Sequence, residues 1–221
     1  MKKPSFFIGL SILFILMSCS PKFQLLQGDF LFQDMDCGPM CNAIEEVTQG
    51  IDGARLSHVG LVFVENDSFK VVEAISKGVV FTPIDDFLNR SHDAEGNPKV
   101  LVGRLKSNYQ HLIPKALENL ESYKETPYNN SYIMGNDSVY CSQLLYLIFK
   151  EANNGSEVFE LAPMTFKPIN SDQFFPVWKE YYNELGIPIP EGLPGINPGG
   201  MSRSNYLEIV YQYGKPDGWK K

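Results

Sequence analysis

The stretch Asp137-Ser138-Val139-Tyr140-Cys141-Ser142-Gln143-Leu144-Leu145-Tyr146 runs from a turn-like polar pair straight into an apolar helix. Cys141 therefore falls in the helix's first turn. There, unpaired backbone N–H groups and the positive end of the helix dipole favour thiolate over thiol, the condition a nucleophilic cysteine needs. The plain alternative is that Cys141 is one more small buried apolar residue. Its partners elsewhere in the chain decide between the two.

Those partners lie in Ser57-His58-Val59-Gly60-Leu61-Val62 and Phe69-Lys70-Val71-Val72-Glu73-Ala74. If residues 65–68 close a tight hairpin with Val64 opposite Phe69, Glu73 falls opposite Gly60 and Ile75 opposite His58. His58 and Glu73 are then diagonal neighbours on one face, and Gly60 leaves room for the carboxylate to lean toward the imidazole. A two-residue loop keeps this register, whereas a three-residue loop would put the pair on opposite faces. Taken alone, His58 reads as a strand-edge histidine satisfied by backbone. Together, a thiol, an imidazole and a carboxylate make the constellation of a cysteine hydrolase. The imidazole takes the thiol proton, the carboxylate fixes the ring, and the helix N-terminus offers N–H groups to the oxyanion.

The rest of the chain supplies an α+β setting. Residues 28–33 read as a first strand, 39–49 as a helix, and 57–64, 69–75 and 78–82 as a three-strand meander. Residues 100–104 add a strand, 109–123 an amphipathic helix, 141–152 the buried helix and 206–213 a late strand. Residues 186–200 hold four prolines and five glycines and read as loop. Asp85 and Asp86, after Pro83, read as the first turn of a short helix rather than as metal ligands.

At the N-terminus, Lys2 and Lys3 precede an apolar run over residues 6–17 that ends Leu16-Met17-Ser18-Cys19. This is the order of an export signal, too short to span a bilayer comfortably. A small residue before the cysteine resembles the bacterial lipobox: residues 1–18 are removed as a signal peptide, Cys19 is lipidated, and residues 19–27 form a tether. An ordinary cleaved signal or an uncleaved anchor are the alternatives, and all three carry the protein across the inner membrane. The formal charge of −7 becomes −9 when Lys2 and Lys3 leave with the signal, and so acidic a domain has no nucleic-acid footprint. With Cys19 given to lipid, Cys37, Cys41 and Cys141 form an odd set, so at least one thiol is free or bonds another chain. Cys37-Gly38-Pro39-Met40-Cys41 could close a small disulfide. Metal binding by that pair lacks a second pair of ligands at suitable spacing.

Taken in order, residues 28–33, Ser57-His58-Val59-Gly60, Val72-Glu73-Ala74, Thr126-Pro127-Tyr128, Tyr140-Cys141-Ser142-Gln143-Leu144 and Gly195-Ile196-Asn197-Pro198-Gly199 resemble the YiiX/YebB-like branch of the NlpC/P60 superfamily. The resemblance covers residues 28–213 and implies a circularly permuted papain-like fold, with an antiparallel sheet or small barrel packed against helices in a domain over 28–221. In papain the cysteine comes first, whereas here the order is His58, Glu73, Cys141. The resemblance implies Cys141 as nucleophile, His58 as base and later acid, and Glu73 as the orienting residue, with no metal or cofactor. It implies amidase or peptidase action on cell-wall-type peptides, with the lecithin:retinol acyltransferases as distant cousins. The chain departs from the pattern at Gln143, where relatives often carry Glu, and this bears on the charge a substrate meets.

Smaller expectations attach to Tyr140 and Tyr128 as cleft residues, each equally suited to packing, and to Gln33 as a hydrogen-bond donor near the oxyanion. His92 and His111 read as surface residues. Two readings follow. One is an exported, lipid-tethered thiol hydrolase that cleaves an amide in a murein-derived or other short peptide through a thioacyl intermediate, with lipid-ester chemistry as its competitor. The other is a non-catalytic envelope module that binds peptide or lipid. The oligomeric state is open on either.

Overall fold

The computed structural model describes residues 23–221 apart from residue 136, so the signal segment and Cys19 lie outside the described residues. The framework is a six-stranded antiparallel sheet built from β1 (Phe30–Gln33), β2 (His58–Glu65), β3 (Ser68–Ile75), β4 (Gly78–Pro83), β5 (Val100–Leu105) and a last strand that returns to its edge. The sheet is open, not closed into a barrel: β4 lies at one edge and the returning strand, Leu207–Gln212, at the other.

The hairpin that decides the site closes through two residues. Asn66 and Asp67 both take positive φ (49° and 59°), the backbone of a two-residue turn whose twist suits the flanking strands. Val64 consequently pairs with Phe69, the register on which the shared face of His58 and Glu73 depends. Gly60 is required here, because a Cβ would run into Val71 Cγ1 and press on Phe87.

Strand alternation sorts the core into two layers. Phe30, Phe32, Val59, Leu61, Val72 and Ala74 point to one face. That face is covered by the Cys141–Ala152 helix, where Phe149 stacks on Phe30 at 5.3 Å between ring centres. Leu31, Val62, Val71, Val100 and Val102 point to the other face, capped by Phe87 from the short helix Ile84–Leu88. In chain order the helices are α1 (Pro39–Val47), α2 (Ile84–Leu88), α3 (Ile113–Asn119), α4 (Cys141–Ala152), α5 (Pro176–Leu185) and α6 (Pro198–Ser202).

Three local expectations change. The helix expected over 109–123 is broken into a 3₁₀ turn at Gln110–Leu112, α3, and a second 3₁₀ turn at Leu120–Tyr123. Pro114 lies in the first turn of α3, where its missing N–H costs nothing but where it cannot continue a helix entering from before. The loop expected over 186–200 carries a two-residue strand, Pro194–Gly195, paired with Ala162–Pro163, and enters α6 under an Asn197 cap whose Oδ1 accepts from Gly200 N at 2.7 Å. α5 has no counterpart among the elements expected from sequence. Cys37 and Cys41 form a disulfide across the start of α1.

Candidate active site

Cys141 is the first residue of α4, 6% exposed and free of any disulfide. The His58 side chain and the backbone N–H groups of Val59 and Ser142 lie close enough to its sulfur to favour the thiolate. The Val59 donor is available because the β2–β3 ladder runs only from Glu65↔Ser68 to Leu61↔Val72. Burial alone would raise the Cys141 thiol, but the His58 hydrogen bond and charge and these two N–H groups outweigh it and hold the pKa below the ordinary value.

His58 opens β2 and is equally buried. Its Nε2 lies 2.6 Å from Glu73 Oε2, which leaves Nδ1 for the thiol. Burial opposes a charged imidazole, yet Cys141 on one side and Glu73 on the other lift its pKa to about 9. Both shifts favour thiolate and imidazolium over thiol and neutral imidazole, a nucleophile set beside its proton donor.

Glu73 is fully buried in β3. Burial pushes its carboxyl up, but Arg90, His58 and Thr82 pull it down to about 2. Arg90 donates to both carboxylate oxygens, with Nη1–Oε2 at 2.7 Å, and Thr82 Oγ1 donates to Oε1. The guanidinium also lies 5.0 Å from the Phe87 ring centre. The sequence reading did not include Arg90. The available signal was physical: a carboxylate placed on the buried face of a strand needs a fixed cation.

The other expected site residues are dispersed. Tyr140 and Tyr128 line a cavity beside Cys141, and Tyr140 OH accepts from Ile196 N at 3.2 Å. Gln143 lies in the α4 cap instead: its Oε1 accepts from Tyr140 N at 3.3 Å and from Asn129 Nδ2 at 3.0 Å. Gln33 sits opposite His58 in the β1–β2 register, and its Nε2 donates to Phe87 O at 2.9 Å, which uses one of the amide's two N–H groups. Its Oε1 is buried without a partner. His92 and His111 are exposed.

A second buried carboxylate stands behind the site. Glu45 of α1 accepts from Ser57 Oγ at 2.7 Å, and Ser57 precedes His58. Burial, then Asp34, push its carboxyl up to about 7 against the pull of Ser57, Lys99 and Arg55. A carboxyl raised on folding binds its proton more tightly in the native state, so stability falls as pH rises from about 4.5 through 7. Glu45→Gln keeps the acceptor for Ser57 and removes the charge. At pH 8 it is expected to stabilise by about 1–3 kcal/mol, a rise of several degrees in Tm, and at pH 4.5 to change little. Thermal unfolding at the two pH values checks this, and an equal shift at both would contradict it.

The comparisons agree with this geometry. A family model described as permuted papain-like amidase enzyme, YaeF/YiiX, C92 family, matches residues 24–211. The uncharacterized protein YiiX of Escherichia coli strain K12 is 27% identical over 184 residues, 83% of this chain and 84% of its own. The crystal structure of metalloprotein yiiX from Escherichia coli O157:H7 is similar in fold, with a TM-score of 0.67 at 24% identity over 87% of this chain and 99% of that one. With a cysteine–histidine pair at the head of a helix and the family model spanning most of its length, this chain belongs to the permuted papain-like amidases of the C92 family, cysteine amidases and peptidases.

Proposed function

We propose that this cysteine hydrolase works in the bacterial cell envelope, lipid-anchored through Cys19, and cleaves an amide in a murein-derived or other short peptide. The observation that carries the reading is the buried Cys141–His58–Glu73 chain at the N-terminus of α4. The Cys141 thiolate attacks the amide carbonyl, and backbone N–H groups of the α4 first turn receive the oxyanion. His58 gives its Nδ1 proton to the departing amine as the C–N bond breaks, leaving a thioester on Cys141. Neutral His58 then takes a proton from water. The resulting hydroxide displaces the thiolate, which releases a carboxylic acid and restores the ion pair. Glu73 stays ionised and holds the ring throughout. A lipid anchor would place the enzyme at high local concentration beside envelope substrates.

The solved Escherichia coli relative is described as a metalloprotein. Among the described residues of this chain, no group of three or more His, Cys, Asp or Glu side chains could hold a metal ion, so the donor set does not fit one and no step here uses one.

The test incubates protein starting after Cys19, wild type and Cys141→Ala, with a muropeptide digest and with phospholipid vesicles, read by mass spectrometry. New peptide fragments from the wild type alone are expected and identify the bond cut. Released fatty acid or acylated Cys141 would move the enzyme to lipid esters, and silence on both would favour a binding module.

A further inference from the structure

The cavity beside Cys141 carries information about substrate that the catalytic groups do not. Its apolar wall comes from Ile44, Val47, Met164, Phe166, Trp178 and Ile196, and no Asp, Glu, Lys, Arg or His lines it among the described residues. The polar side chains that do line it are mostly spent inside the protein. Thr48 Oγ1 donates to Ile44 O at 2.5 Å, Ser57 Oγ to Glu45 at 2.7 Å and Ser142 Oγ to Ile196 O at 3.0 Å, while Asn197 Oδ1 is held by Gly200 N. A charged substrate group placed here would lose its water and, apart from the Cys141 sulfur that must attack the carbonyl, find no side chain to pair with its charge. Glu45 is no exception, since it stands behind Ser57 and does not line the cavity.

Size narrows the choice. The cavity measures ≈ 50 Å³, about a third of the ~150 Å³ of an engineered cavity that admits benzene. The surrounding rings are held edge to face, Phe166 on Trp178 at 5.1 Å and Tyr132 on Trp178 at 5.8 Å, so the wall resists widening. Position assigns the side of the scissile bond. Cys141 and Ser142 line the cavity and His58 does not. The leaving amine must lie against His58, which protonates it, and the cavity therefore falls to the acyl half of the substrate.

We propose that this cavity is the subsite for the residue supplying the scissile carbonyl, and that it selects a short, uncharged aliphatic side chain of about the size of alanine or valine. The assignment rests on the amide-hydrolase reading above. Purified full-length protein would be assayed on a series of N-acetyl-aminoacyl-aminomethylcoumarins carrying Ala, Val, Phe, Glu or Lys and on a long-chain acyl-aminomethylcoumarin, with Cys141→Ala as blank. The expected kcat/KM for Ala and Val exceeds that for Glu and Lys by at least about 100-fold, with Phe and the long acyl chain also disfavoured. Met164→Ala, which opens one wall, is expected to raise the Phe-to-Ala ratio by roughly 10-fold. Cys141-dependent cleavage that prefers Glu, Lys or the long acyl chain would overturn the subsite and leave the hydrolase standing. Absence of any Cys141-dependent cleavage would overturn both.

Discussion

Cys141→Ala is expected to hydrolyse its substrate no faster than background, a loss on the order of 10⁴-fold, and His58→Ala to lose nearly as much, because residues that act as a unit do not contribute additively. The two variants separate in a second assay, alkylation by iodoacetamide. In the wild type, His58 holds the thiol below its ordinary value while Cys141 and Glu73 hold the imidazole up at about 9. The ion pair therefore occupies the range between the lowered Cys141 pKa and about pH 9. It is lost downward as the thiolate protonates and upward as the imidazolium deprotonates. Its contribution to stability from His58 is fully present below the ordinary 6.5 and disappears as pH rises through about 9. Removing His58 leaves burial opposed only by two backbone N–H groups, so the thiol moves back up. At pH 6, labelling of His58→Ala should be slower by roughly 100-fold, and the gap should narrow as pH approaches 9. Labelling at pH 6 that is indifferent to His58 would mean that Cys141 is an ordinary buried thiol.

What the sequence disclosed follows from how local the determinants are. The thiol's place at a helix start needs only a polar pair followed by an apolar run, and α4 begins at Cys141. The His58–Glu73 face needs only the length of one turn, and Asn66-Asp67 supplies it. Arg90 could not be found this way. It reaches Glu73 from beyond a short helix, 17 residues along the chain, and no period or spacing marks it. At Gln33 the strand position is legible, whereas the orientation of its amide is set by Phe87 O, a backbone acceptor brought in by α2. The α5 helix escaped because its apolar face, Trp178 and Tyr182, is aromatic and packs on a satellite cluster with Phe166 and Ala43 rather than on the sheet. The Pro/Gly-rich composition of residues 186–200 points to loop, yet proline at the first turn and an Asn cap are helix-starting features, and α6 uses both.

The largest structural effect is expected at Glu73, where electrostatics and folding meet. Glu73→Ala removes the shared partner of His58, Thr82 and Arg90 and leaves the guanidinium, one-fifth exposed, facing an apolar strand and the Phe87 ring. Breaking one side of a buried ion pair costs about 3–5 kcal/mol, reduced here to about 2–4 by the partial exposure of Arg90. Glu73→Gln keeps the shape and an acceptor for His58 but not the charge. It should cost less stability and still lower kcat by about 10²–10³-fold, because the imidazolium loses its counter-ion and its pKa falls from about 9. The pH dependence identifies the cause. A carboxyl held at about 2 when folded, against an ordinary 4.5, adds stability that is complete above 4.5 and is lost as pH falls through about 2. Urea unfolding between pH 2 and 5 should therefore show a steep acid loss in the wild type that Glu73→Gln lacks. Arg90→Met separates orientation from charge. It leaves Glu73 ionised only through His58 and Thr82, so its carboxyl moves up from about 2, and combined with Glu73→Gln it should cost less than the two changes added. Strict additivity would show that Arg90 acts elsewhere than on this carboxylate. Coupling with a shifted acid limb of the kcat–pH profile would make Arg90 the residue that keeps Glu73 ionised, and through Glu73 keeps His58 charged beside the thiolate.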